Sequence, residues 1–548
     1  MSIRTAAAVV VAAAVLAGAC SDGGREVDAA PAAAAPRTVE SLTVAVPEDV
    51  GPLNIFASHE EPLTELVYDK LVAPSPYVDD PQPWLALAVR EVDPSTWEVD
   101  LRDDVRWHDG ERFTADDVVF TFDLFRADEH PPSGRWTHHV SDTPNITSVE
   151  ALDEDTVRFG CGDPCPDLGD VTLADLPIIP EHVWSQVAPA DVKAVTELPV
   201  GTGPYRLVDY DPTTGYRFEA NPDYFAGEPL VDELVMPVID DPSATFTALR
   251  SGQIDATSRP LSPELIEQFS SVGDIDIIEA APFQFPELRL NFRRAPFDQP
   301  DFRLAISRAL DREELLGTAF LGQGRPADRG YPHPDSPWTN PDLSTPSDPA
   351  EAERILDRLG FVDDDGDGVR EGPDGPLRYT LYTPGGDPVQ VRAAELVAEQ
   401  LTDVGVAVTV QGLDAGSLSE RSNSRDYDIV IGSITAHGTA DPTQFIMSHR
   451  SGYLWDEGLP LPGYDELYEQ WRQATTVEDR TELLFEMQGV FNDAPTSVPL
   501  YYPDEHWAFR SESYGGWVES PGYGIVHKWS LLPREVGRGA NAIVEADR

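Results

Sequence analysis

The chain has 548 residues, 41% hydrophobic and 9% aromatic, with 97 Asp and Glu against 39 Lys and Arg and a formal net charge of −58. At ~150 residues per domain this length predicts roughly three or four domains with buried cores, and the apolar content excludes disorder as a description of the whole. A polyanion this strong excludes nucleic-acid binding by phosphate neutralisation and adsorption to anionic lipid through a basic patch.

Only three lysines occur, Lys70, Lys193 and Lys528, so the other cations are arginines. A high-GC genome accounts for arginine over lysine but not for the carboxylate excess. Surface carboxylate keeps a protein soluble through self-repulsion, which salt screens, so the imbalance points either to a saline habitat or to lineage composition.

Arg4 precedes an apolar run from Ala6 to Leu16, followed by Ala17-Gly-Ala-Cys20. The run falls short of the ~20 residues of a spanning helix, so residues 1–19 read as a signal peptide. Cleavage before Cys20 predicts lipidation of its sulfur, resembling a bacterial lipoprotein signal; ordinary cleavage leaving a free thiol is the alternative. Residues 20–40, rich in Asp, Gly, Ala and Pro, read as a lipid-anchored flexible linker.

Beyond the linker, strands and helices mix. Residues 42–46 alternate as a strand and 61–71 carry a helical pattern. Thr96–Leu101 alternates again, and Thr114-Ala-Asp-Asp117 opens an apolar helix with a capping-box start. In this exported chain Cys161 and Cys165 predict a short-loop disulfide; zinc would need two further ligands, and His138-His139 stand at no recognisable spacing. Asp241-Pro242 and Asp387-Pro388 each pair an N-cap with Pro at the first helical position. The first of these helices is closed by Gly252 and the second ends near Asp403. Residues 406–410 and 427–432 read as strands. The alternation indicates an α/β architecture with more than one sheet.

Three motifs invite chemistry. His108-Asp-Gly110 reads as a turn after a strand, with no serine or cysteine placed as nucleophile. Gly201-Thr-Gly-Pro204 leads into an alternating strand, whereas a phosphate cradle needs helix N-terminal amides. Asp363, Asp365 and Asp367 take positions 1, 3 and 5 of a calcium loop, with Gly368 at 6, the Val369 carbonyl at 7, Glu371 at 9 and Asp374 at 12. Asp374 is shorter than the usual bidentate Glu. A structural calcium and a solvated acidic turn both fit.

A series of blocks then carries a family resemblance: Leu66-Val-Tyr-Asp-Lys-Leu-Val72, Pro83-Trp-Leu-Ala86, Leu101 through Gly110, Phe113 through Phe120, Pro199-Val-Gly-Thr-Gly-Pro-Tyr205, Asn221-Pro-Asp-Tyr224, Ser251-Gly-Gln-Ile-Asp255 and Ala309-Leu-Asp-Arg312. In their order and spacing they resemble the extracellular solute-binding proteins, family 5, of ABC importers, which include peptide, nickel and oligosaccharide receptors.

The resemblance implies an α/β, two-lobed periplasmic-binding-protein-like fold of type II, in the large peptide-binding class. Lobe one would span 41–281, with an extra subdomain at about 75–198, and lobe two 282–500. Residues 501–548 would return to lobe one and end in a tail. It implies a monomeric, non-enzymatic receptor that captures an oligopeptide or similar solute and passes it to an ABC permease with ATPase subunits. No catalytic residue or cofactor would be required. The receptor would be exported, held to the outer face of the cytoplasmic membrane by its N-terminal lipid only, and free of nucleic acid. An oligosaccharide receptor, a sensory receptor and a secreted hydrolase remain open alternatives. The resemblance places ligand contacts at Asn54, Phe56 and His59, after the first strand, and around Asp441-Pro-Thr-Gln-Phe445. Peptide-binding relatives carry an aspartate four residues before that proline, where this chain has Gly438 flanked by His437, so His437 and Asp441 are the candidates there.

Overall fold

The computed structural model describes residues 38–536 apart from 58–60, 78–80, 127–144, 281–283, 329–331, 435–445, 447–448, 452–460 and 521–522. The signal segment, Cys20, His59, His138, His139, His437, Gly438 and Asp441 lie outside the described residues.

The first alternating segment forms the strand Val39–Ala45, burying Leu42, Val44 and Ala45. It sits inside a seven-stranded sheet ordered Ile275–Ala280, Glu505–Arg510, Ala256–Thr257, Val39–Ala45, Val231–Met236, Gly215–Ala220, Tyr205–Asp211. Val39–Ala45 runs parallel to both neighbours and the outer pairings are antiparallel. Helix Pro242–Ser251 starts where its Asp-Pro signal predicts: Asp241 Oδ1 accepts from Ala244 N at 2.7 Å, and Gly252 ends it at φ 74°. With helix Pro263–Ser270 it buries Phe246, Leu249 and Phe269 against the sheet.

An antiparallel four-stranded sheet, ordered Ala86–Asp93, Thr96–Leu101, Thr156–Cys161, Ile146–Asp153, is inserted in this lobe. Period-two alternation turns Trp97, Val99 and Leu101 inward. They join one continuous apolar core with the large sheet. Helix Ala115–Phe125 opens with Thr114 N donating to Asp117 Oδ2 at 2.9 Å.

The second lobe has its own five-stranded sheet, ordered Ala407–Leu413, Arg378–Pro384, Ile429–Ile434, Phe285–Leu290, Ser497–Pro499, and its own core. Asp387 caps helix Pro388–Asp403 by accepting from Val389 N and Gln390 N. Two passages join the lobes. Ile275–Ala280 pairs antiparallel with Glu505–Arg510 in the first sheet, and Phe285–Leu290 with Ser497–Pro499 in the second. The outgoing and returning chains therefore run side by side, which suits a hinge.

One helix is shorter than its pattern. The expected helix at 61–71 stops at Val67, because distant partners take its next carbonyls. Gly203 N donates to Val67 O, Ile178 N to Asp69 O, Leu85 N to Lys70 O, and both Trp84 N and Ala86 N to Leu71 O.

Candidate functional site

A cavity of about 900 Å³ opens between the lobes beside the two passages. Lobe one supplies helices Pro242–Ser251 and Pro263–Ser270. Lobe two supplies Phe320, Ser433 and the capped start of helix Pro388–Asp403. The passages contribute Gln284, Phe285 and Pro286 going out, and Tyr501, Pro503 and Glu505 returning. Arg392 Nη2 of lobe two reaches Glu264 Oε1 of lobe one at 2.7 Å, tying the rims together. Such a cavity can enclose a medium-sized solute among apolar surfaces and a few placed charges. Burial pushes the Glu505 carboxyl up to about 7.

The lobes also meet at the disulfide loop. Cys161 and Cys165 are bonded, and Asp163 within their loop receives Arg472 Nη2 and, at 2.9 Å, Gln473 Nε2. Arg480, from helix Val477–Asp493, is almost wholly buried; its Nη1 meets Asp167 Oδ1 at 2.5 Å and its Nη2 meets Pro164 O at 2.6 Å. Its guanidinium also stacks 4.2 Å over the Trp471 ring. Nothing local in the sequence marks Arg480, Asp167 or Glu505. The cysteine pair bracketing Asp163 was a visible signal of a constrained loop, but not of its partner.

Asn54 and Phe56, expected as ligand contacts, are not among the residues that line the cavity between the lobes. Asn54 Nδ2 donates to Val192 O and Val195 O at 2.8 and 3.1 Å, and its Oδ1 accepts from Phe56 N, so its amide is spent on closing a loop. Phe56 is buried between Phe125 and Trp184, at ring distances of 5.3 and 4.8 Å.

The two motifs that resemble catalytic elements hold each other. His108 Nε2 lies 3.0 Å from Gly203 O, and its Nδ1 accepts from Gly201 N at 3.3 Å. Burial lowers the ring to about 4, so it is neutral at pH 7. A Cβ at Gly201 or Gly203 would strike the Val67 carbonyl, which is why this stretch is glycine-rich.

In the acidic loop, carboxylate oxygens of Asp363, Asp365, Asp367 and Glu371 lie within 4.8 Å of one another. Asp363 accepts from Gly366 N and Gly368 N, Asp365 from Asp367 N, and Asp367 from Val369 N. Asp374 stays out of this group, in the turn joining Glu371–Gly372 to Gly375–Pro376, because that hairpin carries the chain away after Glu371. Asp367 also meets Arg378 at 2.7 Å.

The model for bacterial extracellular solute-binding proteins, family 5, matches residues 80–455. Di/tripeptide-binding protein 2 of Pseudomonas aeruginosa (strain UCBPP-PA14) is 27% identical over 502 residues, covering 86% of this chain and 90% of its own. The oligopeptide-binding protein AppA from Bacillus subtilis, solved with a nonapeptide, has the same fold at TM-score 0.76 and 22% identity, over 91% of this chain and 100% of that one. NikA from Brucella suis, solved with Fe(III)-EDTA, gives 0.77 at 25% identity, over 90% and 100%. With more than half of its length matched and its two lobes enclosing a cavity, the chain belongs to the family 5 bacterial extracellular solute-binding proteins.

Proposed function

We propose that this protein captures an oligopeptide between its lobes and delivers it to the permease of an ABC importer driven by separate ATPase subunits. The observation that carries this is the cavity of about 900 Å³, lined by both lobes and by both passages. Its volume lies near the upper end of the roughly 300–1,000 Å³ typical of small-molecule sites. Relatives named for di-, tri- and oligopeptides support peptide as the solute class. Capture needs no bond chemistry: a solute closes the lobes by binding the closed form more tightly than the open one.

In this reading the receptor works as a monomer, exported and tethered by lipid on Cys20 to the outer face of the cytoplasmic membrane. Asp363, Asp365, Asp367 and Glu371 hold a structural calcium; four carboxylates in one tight loop are the oxygen donors a hard cation requires. Mass spectrometry of the solute released from protein purified under native conditions tests the peptide assignment. A recovered peptide supports it, and a recovered oligosaccharide overturns it. The mass of the mature N-terminus tests lipidation.

A further inference from the structure

Tyr501, Pro503 and Glu505 alternate along the returning passage, and all three line the cavity, so the Glu505 side chain shares the inward face of that segment. The other charged groups of the wall are engaged. Glu264 holds Arg392, and Asp387 caps its helix. Arg250 donates to Gln268 Oε1 at 3.0 Å, and Arg259 Nη2 to Asp240 O at 2.8 Å. Among the described residues, the Glu505 carboxylate has no hydrogen bond or ion pair, and no neighbouring charge offsets the effect of its burial. Glu505 is half-buried in the cavity wall, and a carboxylate there without a partner is open to pairing with a cation that enters.

We propose that Glu505 is the anchor for a protonated amine of the captured solute, which donates to the carboxylate in the cavity wall. The proposal rests on the reading of this cavity as the solute site. An ammonium brings the positive charge and the N–H donors that Glu505 lacks among the described residues, and the pairing forms only when the solute is inside. Since the empty-site carboxyl titrates near 7, binding an ammonium at that pH also releases a fraction of a proton into the buffer.

The experiment uses the whole protein in 1 M NaCl, which suppresses non-specific attraction of cations to its acidic surface. Thermal shift and calorimetry compare butylammonium with butanol, and trialanine with N-acetyl-trialanine, for the wild type, Glu505→Gln and Glu505→Asp. The expected result is stabilisation by butylammonium but not by butanol, weakened at least tenfold in Glu505→Gln and partly restored in Glu505→Asp. Proton release at pH 7 should vanish in Glu505→Gln. Equal butylammonium affinity in wild type and Glu505→Gln, or no amine-specific binding to the wild type, overturns the anchor. If the amine effect holds while neither peptide binds, the anchor stands and the peptide assignment fails. If both peptides bind the wild type and Glu505→Gln equally well, the peptide assignment stands and the anchor fails.

Discussion

Arg480 and Asp167, 313 positions apart in the chain, form a buried ion pair that joins the two lobes. Asp167 follows the disulfide loop of the inserted subdomain, and Arg480 lies in a helix of the second lobe. The guanidinium also bonds Pro164 O of the first lobe, so both of these hydrogen bonds exist only while the lobes are together, whereas the Trp471 ring beneath it belongs to the second lobe.

Replacing Arg480 with Met leaves Asp167 without its partner in the closed form but free to hydrate in the open one. Removing one partner of a buried pair costs about 3–5 kcal/mol where the other stays buried, and lobe opening relieves part of that. Solute affinity should fall by about tenfold or more, equivalent to about 1.4 kcal/mol or above. Small-angle scattering should show a larger radius of gyration for the solute-free variant. An unchanged radius and affinity would show that the contact does not govern closure.

Asp69 gathers the interior of lobe one. Its carboxylate accepts from Trp84 Nε1, Tyr224 OH, Thr202 Oγ1 and Lys528 Nζ at 2.7, 2.9, 3.1 and 3.3 Å. Beside it, Lys70 pairs with Glu65 at 2.8 Å, so two of the three lysines serve this one buried cluster. Asp69→Asn strands Lys528 and should cost about 3–5 kcal/mol of unfolding free energy. Denaturant titration should show a lower midpoint with an unchanged slope.

Buried histidines predict acid sensitivity. Burial lowers both His108 and His527 to about 4 in the folded chain. Below the ordinary histidine value near 6.5, the unfolded chain takes up protons that the native protein refuses. Their neutral-state stability is therefore fully present above about 6.5 and is lost as pH falls toward 4, by at most about 3 kcal/mol per histidine. Melting curves from pH 7 to 4.5 should show a shallower fall for His108→Gln than for the wild type. Parallel curves would remove the assignment.

The acidic loop should respond to calcium. At one hundred times its dissociation constant, a ligand specific to the native state adds about 2.7 kcal/mol, which would raise the melting temperature. Asp365→Asn should abolish that rise without changing the melting temperature in chelator. If calcium stabilises wild type and variant alike, the loop is only a turn held by its own amides and Arg378.

With a net charge of −58, the surface repels itself, and added salt should relieve that repulsion. The melting temperature should climb as NaCl rises from about 0.1 M toward 2 M, whereas a flat or falling profile would refer the acidity to lineage composition.

The sequence by itself determined the features with local causes. Thr96–Leu101 forms the strand its alternation predicts, and Asp241 and Asp387 cap the helices that their following prolines begin, because each signal acts within a few residues. The ordered blocks made the family and the two-lobed fold legible as well. Only the tertiary structure decided what depends on partners far along the chain. The helix at 61–71 ends early because carbonyls from Val67 to Leu71 are claimed by residues such as Gly203 and Ile178. Asn54 donates to the carbonyls of Val192 and Val195, far along the chain. Glu505 faces the cavity, and Arg480 closes on Asp167, through strand and lobe arrangements with no local mark in the residues beside them. Caps and alternation are short-range energies that a segment carries with it; burial and pairing across lobes come into being only when the whole chain has folded.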